Sequence, residues 1–321
     1  MKGMNGFLLI DKPVGLSSFA VVAQVRKLLR VRKAGHCGTL DPLATGLLIV
    51  CLGRATKLSR FVLGNRKSYF ATVTLGGTTD TYDREGSVLR NESGIIPAKD
   101  EIELALHKFR GHILQTPPIF SALKLKGKPL YKYARNEEQV KIEPREAYIE
   151  SITLTAYSYP TLQLSITCGA GTYIRSLAHD LGQVLGCGGY IEELRRDRIG
   201  EISVRRAITL KQLEDIAAVS EDASKLRAEL GNAFVDISEM IDLPAIIVDP
   251  ASHSHIAHGR PLRMGDIRDF GSGIATHQLV ALRADSGDLL AIGRTLYPTG
   301  QLPEGADERV IEYVRVIQAE A

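Results

Sequence analysis

Read as apolar and polar positions, the chain opens with two short unbroken apolar stretches. "GFLLI" at residues 6–10 and "LLIVCLG" at 47–53 both read as strands, the second a buried one. Between them Val21, Val22, Val25, Leu28 and Leu29 recur at helical spacing. Residues 18–30 therefore predict an amphipathic helix, with Ser17 or Ser18 as its N-cap. "KSYFATVTLGG" predicts a strand running into a Gly-Gly turn, and "EIELALHKFRG" a helix closed by Gly111. "YIESITLTAYS" and "TLQLSITC" are strands joined around Pro160, a hairpin pattern. In "GTYIRSLAHDLGQVLG" the residues Ile174, Leu177, Leu181 and Val184 line one helical face, and Gly186 ends the helix. Strands and helices alternate irregularly, which predicts an α+β fold with a mixed, largely antiparallel sheet.

The pattern breaks twice. Residues 116–146 are rich in Pro and Lys, with aromatics interleaved, and predict an extended loop with one helical turn near Tyr131–Arg135. Irregular segments of that length inside a domain are usually functional or disordered, and alternating Lys and Tyr suits an RNA backbone with stacked bases. Residues 211–244 are acidic and helical in pattern, a connector. From Ala245 onward "AIIVDP", "LVALRA", "DLLAIGRTL" and "VIEYVRVI" are short strands between Gly, Asp and Pro turns, which predicts a small β-barrel.

Charge changes this picture more than composition does. The net charge of +3 conceals a division. Residues 1–210 carry 30 basic and 19 acidic residues, a balance of +11, and residues 211–321 carry 10 and 18, a balance of −8. The basic residues cluster as Arg26–Lys33, as Lys124, Lys126, Lys128, Lys132 and Arg135, and as Arg195, Arg196, Arg198, Arg205 and Arg206. Three such groups in one positive segment point to a polyanionic partner, nucleic acid above all. Cys37, Cys51, Cys168 and Cys187 form no C-x-x-C pair, so neither a zinc site nor a disulfide framework is expected. Nucleotide-binding glycine motifs are missing, so no cofactor and no metal is expected. No apolar run approaches membrane-spanning length and the N-terminus lacks a signal-peptide core, so the expected location is cytoplasmic.

The candidate chemistry lies in "AGHCGTLDPLATGLL", residues 34–48, where Asp41 is the only acidic residue. An Asp-Pro pair is ordinarily a turn opener. Here Pro42 holds Asp41 out of helical geometry, glycines flank it, and a buried strand follows at once. That places a carboxylate on an irregular loop anchored in the core, a common setting for catalytic groups. Arg175 is the second candidate. It stands in a first helical turn, where the helix dipole disfavours a cation, beside Tyr173, Ile174 and Leu177, and so calls for an anionic partner.

These segments together carry a resemblance. "NGFLLIDKPVGLSS", "RKAGHCGTLDPLATGLLIVCLGRATK", "SYFATVTLGGTTDTYDREG", "TPPIFSALKLKGKPLYKYAR" and "GTYIRSLAHDLG" resemble, in order, the TruB family of tRNA pseudouridine synthases. The resemblance implies a pseudouridine-synthase core over residues 1–244 and a PUA-like barrel over 245–321. It implies isomerisation of the uridine at position 55 in the T-loop of tRNA, without cofactor, metal or obligate protein partner. Asp41 would be the nucleophile, Tyr69 the aromatic over the flipped base, and Arg175 the partner of Asp41. His36, Tyr173 and Leu194 would line the substrate site. Lys124, Lys126, Lys128, Arg195 and Arg196 are expected on the RNA backbone. Two other readings stay open: a guide-RNA-dependent synthase, and a non-catalytic tRNA-binding or folding protein on the same scaffold.

Overall fold

The structure is a computed structural model describing residues 4–90, 94–220 and 222–317. One large mixed sheet organises residues up to 235. Its strands follow the spatial order Phe234–Val235, Gly6–Lys12, Thr45–Leu52, Gly189–Ile199, Lys67–Leu75, Thr161–Cys168, Arg145–Ser158 and Gly111–Gln115. Neighbours along this path are antiparallel except at one junction. There Arg195 and Arg196 pair in parallel with Thr45 and Gly46.

The two apolar runs are explained by burial on both faces. In Gly6–Lys12 and Thr45–Leu52, Leu8, Ile10, Leu48 and Val50 enter one core while Phe7, Leu9, Leu47 and Ile49 enter another. Strands covered on both sides read as continuous hydrophobic stretches. The far half of the sheet behaves differently. Along Lys67–Leu75, Tyr69, Ala71 and Val73 are buried, while Phe70 is 53% exposed on the opposite face.

The first core is closed by the helix Ser18–Leu28, whose buried stripe is Ser18, Val21, Val22 and Val25. Ser17 is its cap, accepting from the Ala20 amide at 3.1 Å. The helix Ile174–Val184 buries Ile174, Leu177, Ala178 and Leu181, but Val184, expected on that face, is 46% exposed. The helix Lys99–His107 ends at a Lys108 cap, and Gly111, expected to close it, instead begins a strand at φ +82°. That strand and Gly189–Ile199 are among the elements that hydrophobic patterning misses. In Gly189–Ile199 charged residues alternate with Ile191, Leu194, Arg196 and Ile199, all buried.

Residues 116–146 leave the sheet as a mostly irregular segment. It contains a small hairpin, Lys124–Leu125 with Lys128–Pro129, and one short helix, Leu130–Arg135. The acidic connector forms the helices Leu210–Val219 and Ala223–Leu230. The C-terminal strands close into a nearly complete six-stranded barrel. Its Ala281, Leu289 and Ile292, with Ile317, share a core with Phe7, Leu9, Leu47 and Ile49. Lys57 and Arg60 tie the barrel further by donating to the Val316 and Val314 carbonyls.

Candidate active site

The parallel junction of the sheet is where the site forms. Gly46 makes the junction possible. It adopts φ +98°, and a Cβ there would stand 2.2 Å from the Arg196 carbonyl oxygen. Only glycine tolerates both. Just before it the loop 37–44 crosses the end of the sheet and is fastened at several points. The Ser18 hydroxyl, fully buried, donates to the Leu40 carbonyl at 2.9 Å and accepts from the Leu40 amide at 2.8 Å. Lys12, with no exposed surface, spends its ammonium on the carbonyls of Pro13, Leu16 and Pro42. Arg196 donates from Nε to Leu47 O, from Nη1 to Thr39 O and from Nη2 to Gly38 O. Asp41 is thus presented by a loop with little freedom, its side chain 34% exposed.

Arg175 meets it from the other side. Its Nε donates to Asp41 Oδ2 at 2.9 Å, its Nη1 to Thr81 O at 2.9 Å and its Nη2 to Phe120 O at 2.8 Å. Nη1 also lies 3.3 Å from the buried Asp83 carboxylate. A guanidinium 4% exposed is therefore fully engaged, with its fork fixed in one plane. Burial pushes the Asp83 carboxyl up, against hydrogen bonds from Thr81 and the charge of Arg175. The backbone entering this helix is clamped by Gln115, 2% exposed, which donates to Tyr173 O at 2.9 Å and accepts from Tyr173 N at 2.7 Å.

A cavity of about 320 Å³ opens in front of this pair. Asp41, Tyr69, Tyr173, Arg175, Leu194 and Arg196 are in its wall, with Lys67 and Ser121. Tyr69 is 7% exposed, and burial pushes its phenol up, so it remains protonated at neutral pH. The Ser121 hydroxyl is buried and has no hydrogen-bond partner among the described residues.

The structure brings together five of the six residues expected at the reacting centre and its substrate. His36 is not in the cavity wall. It closes the short strand Ala34–His36, and its buried Nδ1 has no partner among the described residues. Arg196 corrects an expectation. It is 1% exposed and turned inward onto backbone carbonyls, so it presents no face to a phosphate. Arg195, beside it on the strand, points the opposite way and forms a two-pronged pair with Asp11 at 3.0 and 2.8 Å. Successive strand residues alternate faces, so a basic run in sequence is split in space. Lys124 and Lys126 are exposed, whereas Lys128 pairs with Glu138 at 2.6 Å and lies over the Tyr133 ring. Sequence reasoning missed Asp83, Lys12, Gln115, Lys67 and Ser121. Only the demand of Arg175 for an anion pointed toward Asp83.

A carboxylate locked against a buried arginine, with an aromatic ring in the wall of the same cavity, suits covalent work on a nucleobase. Comparison with known proteins gives the class. Residues 26–174 match the TruB family pseudouridylate synthase (N terminal domain), and residues 175–232 match the tRNA pseudouridylate synthase B C-terminal domain. The tRNA pseudouridine synthase B of Pseudomonas syringae pv. syringae (strain B728a) is 41% identical over 298 residues, 91% of this chain and 92% of that protein. That of Xanthomonas campestris pv. campestris (strain 8004) is 46% identical over 239 residues, 74% of this chain and 77% of that one. A chain in the crystal structure of the archaeal box H/ACA sRNP Nop10-Cbf5 complex superposes with a TM-score of 0.75 at 26% identity, covering 98% of this chain and 86% of its own length. The fold is that of a pseudouridine synthase, an enzyme that isomerises uridine within RNA. The chain belongs to the TruB family, whose members of this kind act on tRNA.

Proposed function

We propose that the target is the uridine at position 55 in the T-loop of tRNA, and that Asp41 is the nucleophile. The observation that carries this reading is the Asp41–Arg175 pair at 2.9 Å in the wall of the cavity. The target base leaves its stack and enters the cavity, lying against Tyr69 with its ribose toward Asp41. The N1–C1′ bond then breaks. Asp41 either bonds to C1′ or promotes loss of the C2′ proton to give a glycal, which splits one difficult step into two. The detached uracil turns and C5 bonds to C1′, displacing the Asp41 carboxylate or adding to the glycal as C2′ regains its proton. The C5 proton then passes to solvent while N1 takes one up, so the product is an isomer of the substrate. Arg175 holds the carboxylate in one orientation throughout, and Leu194 and Tyr173 help to keep water out.

The RNA is held largely by the basic surface of the first two-thirds of the chain. Arg26, Lys27, Arg30, Arg32 and Lys33 are all exposed, as are Lys124 and Lys126. The reading keeps the PUA-like barrel, the cofactor-free chemistry, the cytoplasmic location and the independence from protein partners expected above. The guide-RNA-dependent alternative draws on the likeness to Cbf5 chains, at lower identity than the tRNA enzymes. The test is Asp41→Asn on an unmodified T-stem-loop RNA, with neither guide nor partner protein present. Turnover should vanish while RNA affinity stays within about threefold, because phosphate contacts dominate binding. Isomerisation by the Asn variant, with deamidation excluded by mass, would remove Asp41 from the chemistry.

A further inference from the structure

Two lysines are buried near the site, and they are spent differently. An ammonium has three N–H donors. Lys12 places all three on backbone carbonyls, so it is a structural tie and nothing more. Lys67 donates to Leu63 O at 2.8 Å and to Asn65 O at 2.7 Å, which leaves one donor uncommitted among the described residues. It is 7% exposed and lies in the cavity wall. It stands two residues before Tyr69 on the same strand, so both side chains leave the same face.

The reaction requires such a group. When N1–C1′ breaks, its electron pair goes to the base, and uracil is released as an anion with charge spread over its ring nitrogens and both carbonyl oxygens. That anion is confined while it turns. The other two cations of the cavity are already used. Arg175 is committed to Asp41, Thr81, Asp83 and Phe120, and Arg196 to three carbonyls. We propose that Lys67 is a catalytic residue, its free N–H donating to a carbonyl oxygen of the departing uracil and stabilising the anion between bond cleavage and bond formation. No proton is transferred; the ammonium acts as a fixed charge in a site shielded from water, where such a charge acts most strongly. The assignment rests on the reading that the target uridine occupies the Asp41 cavity.

The electrostatics agree. Burial, helped by the Arg196 charge, lowers Lys67 to about 8, so it still carries its proton at pH 7. The other titratable groups acting on it are the thiols of Cys168 and Cys37. Burial raises Cys168 to about 11, and a hydrogen bond with Cys51 together with burial raises Cys37 further, so both stay neutral through this range. Losing the Lys67 proton should therefore switch the step off as pH rises through about 8.

The experiment is single-turnover isomerisation by the wild type and Lys67→Met, on T-stem-loop RNA carrying either uridine or 5-fluorouridine at the target. Fluorine withdraws electrons and makes the base a better leaving group, so less stabilisation is needed. On uridine RNA at pH 6.5, Lys67→Met should be about 100-fold slower than wild type, with RNA affinity within threefold. On 5-fluorouridine RNA the deficit in consuming the target should shrink to about tenfold or less. The wild-type rate on uridine should fall above pH 8, and that limb should be missing from the variant. A deficit equal on both substrates would show a purely structural role. A variant within threefold of wild type, or a flat wild-type profile from pH 7 to 9, would also overturn the proposal. A flat profile overturns the proposal without any variant; because burial lowers Lys12 to about 8 as well, a falling limb counts for Lys67 only where Lys67→Met lacks it. A wild type inactive on this RNA would instead refute the T-loop reading.

Discussion

At the scale of single residues, the site turns on Arg175, whose fork makes four connections from one planar group. Lysine would keep the charge but could not span Asp41, Asp83 and two carbonyls at once. Arg175→Lys is expected to fold and bind RNA but to turn over about 100-fold more slowly, the scale of loss from an ångström of misplacement. Single-turnover rates beside binding curves check this; a rate within threefold of wild type would mean that charge alone suffices. Asp180, one turn along the same helix, is a different case. Burial raises its carboxyl to about 6, with no compensating partner among the described residues. Between its ordinary value of 3.8 and about 6 the folded state holds more protons than the unfolded one. Stability attributable to this group is thus full below pH 4 and is lost as pH rises through 6. Asp180→Asn should therefore raise stability at pH 7.5, by about 1 kcal/mol once solvent screening of this partly exposed group is allowed for, and change little at pH 4. Urea unfolding at both values measures it. Asp41 and Arg175 were legible in the sequence because each violated a local rule: a carboxylate held beside a core strand, a cation in a first helical turn. Lys67 and Asp83 violate none, and their burial comes only from tertiary packing.

At the scale of elements, the strands buried on both faces and the helices with a clean apolar stripe were legible. Gly189–Ile199 was not, although it sits at the centre of the sheet. Its "EELRRDR" reads as solvent-facing, yet Arg196 is an interior residue that replaces apolar contact with three hydrogen bonds to carbonyls. Patterning by hydrophobicity cannot see a buried charge that is fully paired. The hairpin within 116–146 was legible only as an irregular basic segment, and its lysines divide on inspection. Lys124 and Lys126 are exposed, while Lys128 is held by Glu138 and Tyr133. Replacing Lys124 or Lys126 by Ala should lower the slope of log affinity against log salt by about one unit each. Lys128→Ala should leave the slope nearly unchanged. Binding titrations across a salt series test this, and equal effects from all three would show that the Glu138 pair opens on RNA.

At the scale of the whole molecule, the division of charge and the division of structure coincide only in part. The positive segment builds the sheet and the cavity, and the acidic remainder builds the connector and the barrel. The barrel is nevertheless part of one packed body, since Ala281, Leu289 and Ile292 complete the core beneath Phe7, Leu9 and Leu47. That core supports the back of Thr45–Leu52, the strand that follows the Asp41 loop. The central claim is that this arrangement isomerises one T-loop uridine of tRNA. The most direct measurement is incubation of the purified protein with an unmodified tRNA transcript, followed by nucleotide-resolution mapping of pseudouridine. One modified position is expected, at uridine 55, with no guide RNA, metal or partner protein added. No pseudouridine, or pseudouridine only outside the T-loop, would contradict the account.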